Sequence, residues 1–203
     1  LKNVTLVGNC MGSAMSVAYT IRHPENVRAL ILMNPLTDAC FTGGQLGVFL
    51  RLRHVAPAFS RQSYGLLGRL RLNRFISEHS LRMQFGSIGK AKKLEKTEEL
   101  RACFTSDRQM NSLVWTLDDL VNYQFLDSFS PPEDFPPICT IWGLENQILS
   151  PREGRKLNAA LKPEREEWLK GCGHLPMLEK PEEVATIIHE FIAHKMKLNE
   201  TVS

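Results

Sequence analysis

The sequence has no long hydrophobic run and lacks the cysteine patterns that mark several special classes of protein. No apolar stretch among its 203 residues approaches the roughly 20 that a membrane-spanning helix needs. The five cysteines include no Cys-x-x-Cys pair, so neither a disulfide framework nor a zinc ribbon is indicated. The first residues also show no basic-then-apolar leader. These absences predict a cytoplasmic protein with reduced thiols, no bound cofactor and no metal.

Neither sign of charge dominates the composition. The chain has 25 Lys and Arg against 22 Asp and Glu, a formal net charge of +3, and 43% of its residues are hydrophobic. Such a balance excludes a disordered chain or an acidic tail and is typical of one globular domain. The charge is unevenly placed, however. Residues 49–96 contain 11 basic and two acidic side chains, a net charge of +9, which leaves −6 for the remainder.

A strand, a glycine turn and a helix open the chain. Residues 2–7 have strand character, Gly8 and Gly12 bound the turn, and apolar residues then recur at helical spacing up to residue 21. After a His-Pro pair, residues 27–33 form a continuous apolar run, which is typical of a strand buried on both faces. The order predicts a βαβ unit with parallel strands and a right-handed crossover.

The middle third of the chain has a different pattern. Residues 36–135 show no convincing strand, and apolar residues at three-and-four spacing, clearest over 110–121, predict helices. Strands at 138–142 and 166–169 and helices at 151–161 and 181–196 are predicted to follow. We therefore expect an α/β core formed by residues 1–35 and 136–203, with residues 36–135 inserted as a helical cap above the carboxyl ends of the strands.

Cys10 is the first candidate for chemistry, because it lies in the pattern Gly8-x-Cys10-x-Gly12 between a strand and a helix. A nucleophile at such a sharp turn needs small residues two positions away on either side. Its side chain then projects above the sheet, and the following amide, that of Met11, faces a developing oxyanion. The helix N-terminus favours the thiolate over the thiol. The alternative is a packed structural cysteine.

A histidine in a matching setting follows downstream. His174 lies in the stretch GCGHLPMLEKPEEV, on a loop between a predicted strand and the last helix. This stretch, the turn at Cys10 and the run HPENVRALILMNP resemble the α/β-hydrolase fold family, over roughly residues 1–35 and 136–195. The resemblance implies a parallel sheet with helices on both faces. It also implies a nucleophile–histidine pair, here with cysteine as the nucleophile, as in some acyltransferases and thioesterases.

The resemblance further implies a third group that orients His174. The family pattern has Asp where this chain has Asn146, and a second position used by some relatives is Asn34 here. An amide at this point is a severe loss for a serine enzyme but is tolerated by a thiol, since Cys-His-Asn enzymes exist. We expect Asn146 to orient the histidine, with Glu145 and Asp38 as the carboxylate alternatives.

These residues predict cysteine-dependent acyl transfer or hydrolysis through an acyl-thioester intermediate. The basic cap segment favours an anionic donor, such as a thioester of coenzyme A or of the phosphopantetheine arm of an acyl carrier protein, with Arg69, Arg71 and Arg74 as candidate contacts. The alternative for these arginines is a solvated helix face, and peripheral contact with an anionic membrane is a further one. No nucleic-acid-binding module is recognisable. Carboxylic-ester or lactone hydrolysis and a non-catalytic binding protein with a decayed triad stay open as alternative functions.

The order of the elements also predicts that this sheet is part of a larger one. In the resembled family several strands precede the nucleophile strand, and an early loop donates the second oxyanion amide. Without them, the strand at residues 2–7 would be an apolar unpaired edge, and the amide of Met11 would be the single oxyanion donor. We therefore expect the N-terminal strands to lie outside this chain, on an upstream segment of the same product or on a partner chain.

Overall fold

The fold is given by a computed structural model, which describes residues 1–45, 47, 48, 51, 55, 56, 74–102 and 119–202. The described residues contain four strands: β1 (Val4–Asn9), β2 (Val27–Met33), β3 (Ile138–Gly143) and β4 (Arg165–Leu169). They form one sheet in the order β1-β2-β3-β4, and every pairing is parallel. All four carboxyl ends therefore meet at one edge of the sheet, which is where such sheets place their sites.

The helices of the described residues lie between and after the strands. They are α1 (Met11–Arg22), α2 (Asp38–Thr42), α3 (Arg74–Gln84), α4 (Ser87–Ala91), α5 (Glu98–Ala102), α6 (Pro151–Leu161), α7 (Pro176–Glu179) and α8 (Pro181–Val202), with 3₁₀ helices at Pro24–Asn26, Leu94–Lys96 and Asp119–Asp127. Within these ranges, no helix combines the length and the apolar content that crossing a bilayer requires.

Two apolar clusters sandwich the central strands, because side chains alternate between the two faces of a strand. Leu30 and Leu32 of β2 pack with residues of α1, α2 and α6 on one face. Ala29 and Ile31 pack with residues of α8 on the other face. Burial on both faces explains why the sequence of β2 is a continuous apolar run rather than an alternating one.

The structure confirms the predicted fold class, a parallel α/β sheet with helices on both faces. β2 and α6 have the predicted bounds, whereas β1 begins and ends two residues later than predicted and so reaches the turn itself. The described part of residues 36–135 contains helices and no strand, and most of the apolar stretch 110–121 lies outside the described residues. Leu36 and Phe41 are buried in the same cluster as Leu30, so this end of the cap segment packs against the sheet. The division of the chain into core and cap stays a prediction.

The two edges of the described sheet differ in chemistry. β4 carries Arg165, which pairs with Glu167 and Glu190, and such charges are typical of natural sheet edges. β1 (VTLVGN) carries no charged residue, and Val7 is 50% exposed. Strands inside a parallel sheet are apolar because both of their faces are covered. The apolar sequence of β1 is therefore typical of an interior strand, although Val7 is exposed among the described residues. In the part of the chain that the structure describes, β1 pairs with β2 alone.

The glycines that flank the β1–α1 turn are not equivalent. A Cβ at Gly8 would lie 2.4 Å from the carbonyl carbon of Gly12, whereas a Cβ at Gly12 would meet no atom of the described residues within 4 Å. We expect Gly8→Ala to lower the free energy of unfolding by about 2 kcal/mol through overpacking. Gly12→Ala should leave it unchanged or raise it by up to about 1 kcal/mol, because Ala is the better helix former. Urea unfolding of both variants checks this, and equal losses would contradict it.

Candidate active site

Cys10 lies at the tip of the turn between β1 and α1, in a strained backbone conformation. Its φ of 52° and ψ of −117° lie in a region that residues with a side chain rarely adopt. The amide of Cys10 donates to the carbonyl oxygen of Met33 at 3.0 Å, which joins the turn to the end of β2. The buried hydroxyl of Ser13 lies 2.7 Å from the carbonyl oxygen of Gly8. Strained backbone conformations that surrounding hydrogen bonds hold in place are found mainly at functional sites in proteins.

The thiol of Cys10 is protonated at neutral pH in this arrangement. Burial raises the pKa of Cys10 to about 12, although a hydrogen bond from the Met11 amide to the thiol acts in the opposite direction. The N-terminus of α1 therefore does not generate a thiolate by itself, contrary to the expectation from sequence. The Met11 amide does lie beside the sulfur, where an oxyanion donor is needed.

His174 lies on the loop between β4 and α7, and its backbone is fixed from more than one side. Its amide donates to the carbonyl oxygen of Gln84 at 2.6 Å. Its carbonyl oxygen accepts from Nδ2 of Asn34 at 3.0 Å. The side chain is buried, and desolvation lowers the pKa of His174 to about 4. The imidazole is consequently neutral at pH 7, as a general base must be.

The ring of His174 is less constrained than its backbone. Nδ1 is buried and has no hydrogen-bond partner among the described residues. No hydrogen bond joins the ring to the thiol of Cys10, although the structure describes both residues. Such bonds are often long before substrate binds. The structure therefore brings both residues to the carboxyl edge of the sheet without assembling a hydrogen-bonded pair.

Asn146 does not orient His174 through its side-chain oxygen. Oδ1 accepts from the amides of Ile148 and Leu149, both at 3.0 Å, and the amide Nδ2 is buried with no partner in the described residues. Two backbone donors identify the atom that they face as the oxygen and occupy both of its lone pairs. Asn146 can thus offer a further group only a donor, whereas the Asn of a Cys-His-Asn site accepts from the histidine.

The alternative orienting residues make no hydrogen bond to the described ring of His174 either. Glu145 accepts from the amide of Ser87 at 2.6 Å and from its hydroxyl at 3.0 Å, which places this carboxylate at the start of α4. Asp38 begins α2. Asn34, with a φ of 41°, also accepts from the Gly143 amide at 3.0 Å. None of the three hydrogen-bonds the described ring of His174, so the identity of the orienting group stays a prediction.

The predicted substrate contacts fall largely outside the described part of the chain. Arg69 and Arg71 are not among the described residues, and Arg74 begins α3 without a described side chain. In the same described ranges, no group of three or more His, Cys, Asp and Glu side chains could hold a metal ion.

Sequence reasoning missed Glu179, a fully buried carboxylate next to the His174 loop. Its two oxygens accept from the amides of Gly173, Gly86 and Gly89, at 2.6, 2.8 and 3.2 Å. Nothing in the sequence separates this glutamate from Glu182 and Glu183, which follow it closely and are exposed. Its importance arises from contacts with Gly86 and Gly89, which lie 93 and 90 positions earlier in the chain.

Comparison with known proteins agrees with the observed fold. The family model of the alpha/beta hydrolase fold matches residues 1–181, and the chain belongs to this family. The chain is 24% identical over 200 residues to the biotin biosynthesis bifunctional protein BioHC of Teredinibacter turnerae, covering 94% of this chain and 33% of that protein. It is also 24% identical over 203 residues to an uncharacterized protein of Mycobacterium tuberculosis, covering 95% of this chain and 56% of that protein.

Solved structures show the same fold at low sequence identity. A membrane phospholipase A described as a bacterial virulence factor matches with a TM-score of 0.70 and 22% identity, covering 96% of this chain and 58% of that one. A thermophilic esterase from Thermogutta terrifontis matches with a TM-score of 0.66 and 18% identity, covering 96% and 66%. The chain thus spans between a third and about two thirds of the length of these relatives.

The buried, neutral ring of His174 predicts a pH-dependent stability. Since its folded pKa of about 4 lies below the ordinary 6.5, the neutral ring contributes its full stability above pH 6.5 and loses it as the pH falls through 4. The loss should reach about 3 kcal/mol. Urea unfolding at pH 7 and pH 4 checks this, with His174→Gln as control. The fall in the free energy of unfolding from pH 7 to pH 4 should be smaller in the variant by this amount. An equal fall in both proteins would contradict the assignment of a buried, neutral ring.

Proposed function

We propose that the chain carries out cysteine-dependent acyl transfer or hydrolysis through an acyl thioester on Cys10. The observation that carries the proposal is the position of Cys10, held at φ 52° on the turn between β1 and α1 with the Met11 amide on its sulfur. A free thiol used as a nucleophile suits a reducing compartment, which supports a cytoplasmic location.

The reaction then proceeds in two balanced steps. The sulfur of Cys10 forms a bond to the acyl carbonyl carbon while its proton passes to the imidazole of His174. When the bond to the leaving alcohol or thiol breaks, His174 returns that proton to the leaving group. In the second step, water or another acceptor attacks the thioester, gives its proton to His174 and releases Cys10 as the thiol.

The protonation states of the two groups define how the first step starts. A thiol with a pKa of about 12 and an imidazole with a pKa of about 4 are both neutral at pH 7, so no thiolate–imidazolium pair is present beforehand. Proton transfer to His174 must then accompany attack by the sulfur, as in serine enzymes. A substrate that brings the imidazole to the thiol would complete the pair.

The described part of the basic segment lies beside the His174 loop, which supports an anionic acyl donor. Within residues 84–96, the amide of Ile88 donates to the carbonyl oxygen of Gly171 at 3.0 Å, and Nζ of Lys92 donates to the carbonyl oxygen of Glu179 at 2.9 Å. Lys93 and Lys96 follow on the surface. Lysines at this point favour a phosphate-bearing thioester, such as a coenzyme A or phosphopantetheine thioester.

Two unpartnered atoms favour a second candidate, a non-catalytic binding protein. Nδ1 of His174 and Nδ2 of Asn146 are both buried without a hydrogen bond in the described residues. A triad in use normally fixes the histidine tautomer through Nδ1. If no group hydrogen-bonds Nδ1 of His174 in the whole protein, the turn at Cys10 has only a structural role. The protein then binds the acyl ligand without converting it.

Intact-mass spectrometry separates the two candidates. The native protein, with any upstream or partner segment present, is incubated with a panel of acyl-coenzyme A and acyl-carrier-protein thioesters and with simple esters. We expect an acyl adduct that is lost in Cys10→Ala and that maps to the peptide containing Cys10. The matched control is Cys40→Ala, which removes a buried thiol elsewhere in the chain and should keep the adduct.

The donor preference tests the substrate class in the same experiment. Faster adduct formation from coenzyme A or carrier-protein thioesters than from neutral esters supports the anionic donor, and the reverse order supports ester hydrolysis. Absence of any Cys10-dependent adduct across the panel would count against the enzyme and for the binding protein.

We also propose that a further segment completes the sheet at β1. The support is the contrast between the two edges, since β4 is charged whereas β1 is uncharged and exposes Val7. Met15 and Tyr19 on α1 are exposed as well, at 58% and 41%. A strand added along β1 would also carry a loop to the vicinity of Cys10, and an amide of that loop would serve as a second oxyanion donor.

Amide hydrogen exchange tests this completion of the sheet. The chain alone is compared with the longer product, or with a candidate partner chain added. We expect the outward-facing amides of β1 to become protected by at least about tenfold, because they gain hydrogen-bond partners. The outward-facing amides of β4 provide the matched control and should exchange equally in both samples. Unprotected β1 amides in the longer product would overturn the proposal.

A further inference from the structure

The carboxylate of Glu179 connects two parts of the molecule that are distant in sequence. Oε2 accepts from the amide of Gly86, which lies between α3 and α4, and from the amide of Gly89, which lies within α4. Oε1 accepts from the amide of Gly173, the residue before His174. We call residues 84–89 the latch segment. One buried side chain thus holds the latch segment and the histidine loop together.

Further contacts join the same two parts. The amide of His174 donates to the carbonyl oxygen of Gln84 at 2.6 Å, and the amide of Ile88 donates to the carbonyl oxygen of Gly171. Both are hydrogen bonds between backbone groups, so each requires the two backbone segments to keep their relative position. Since Glu179 is fully buried and accepts three amides, loss of its carboxylate would leave buried N–H groups unsatisfied.

We propose that Glu179 is a positioning residue that couples the latch segment to His174. The carboxylate fixes the Gly173 amide relative to the latch segment and thereby fixes the backbone from which the His174 ring projects. The inference rests on the proposed function, because it assigns His174 the role of proton carrier for Cys10. It adds that Glu179 determines where the ring of His174 lies.

The variant Glu179→Gln separates the two ends of this connection. Glutamine has one acceptor oxygen, and the pair of amides on Gly86 and Gly89 competes for it more strongly than the single amide of Gly173. The side-chain NH₂ would then face the Gly173 amide, donor against donor. We therefore expect the histidine loop to loosen while the latch segment keeps its contact with residue 179.

The test uses the complete protein with Glu179→Gln, and Glu183→Gln as a control that removes a carboxylate pairing with Lys180 at the surface. We expect kcat for the acyl donor to fall by about tenfold or more with KM little changed, because small displacements of a catalytic group are costly. The ¹⁵N signals of the His174 ring should shift, and the Gly173 amide should exchange faster. Glu183→Gln should change none of these.

Other outcomes are equally decisive. Unchanged kcat and unchanged His174 signals, with faster exchange at Gly173, would mean that Glu179 is only structural and would overturn the proposal. If Glu179→Gln does not fold, Glu179→Asp keeps the buried carboxyl group but is too short to hold both ends, and the same shift of the ring signals is expected. If the native protein forms no acyl adduct, the proposed function fails, whereas the ring signals still report whether Glu179 positions His174.

Discussion

The end of β2 holds the site together. The carbonyl oxygen of Met33 accepts from the amide of Cys10, and the next residue, Asn34, donates to the carbonyl oxygen of His174 and accepts from the amide of Gly143. Two adjacent residues thus fix the strained turn, the end of β3 and the histidine loop. Both are buried, so these hydrogen bonds do not compete with water and are costly to break. The position of Cys10 relative to the His174 loop therefore depends on this junction.

Burial determines the protonation state of both His174 and Cys10. It keeps the imidazole of His174 neutral, as a general base requires, but it also keeps the thiol of Cys10 protonated. The helix N-terminus contributes a fraction of a charge, which does not compensate for the desolvation of a thiolate. The proposed acyl transfer would therefore move the proton while the new bond forms. The contacts between residues 84–89 and the His174 loop matter for this reason, because they fix the backbone that carries the imidazole.

Much of the fold could be predicted from the sequence, because its signals are local. The continuous apolar run of β2 and the capped, amphipathic α6 have their predicted bounds. The site was predictable in part, since Gly8 and Cys10 lie within one turn. The partners of Asn146 and Glu179 were not, because a side chain's hydrogen bonds depend on which backbone groups the fold brings to it. The side-chain oxygen of Asn146 is occupied by amides two and three positions away, whereas two of the three amides on Glu179 lie 90 and 93 positions away.

The sequence by itself determined the βαβ order, the turn at Cys10 and the loop of His174, since each follows from residue spacing and backbone preference within a few positions. The tertiary structure alone decided the protonation of Cys10 and His174, the absence of a partner on Nδ1 within the described residues, and the difference between the apolar edge at β1 and the charged edge at β4. These properties depend on solvent exclusion and on neighbours distant in sequence, and no local pattern of residues encodes them.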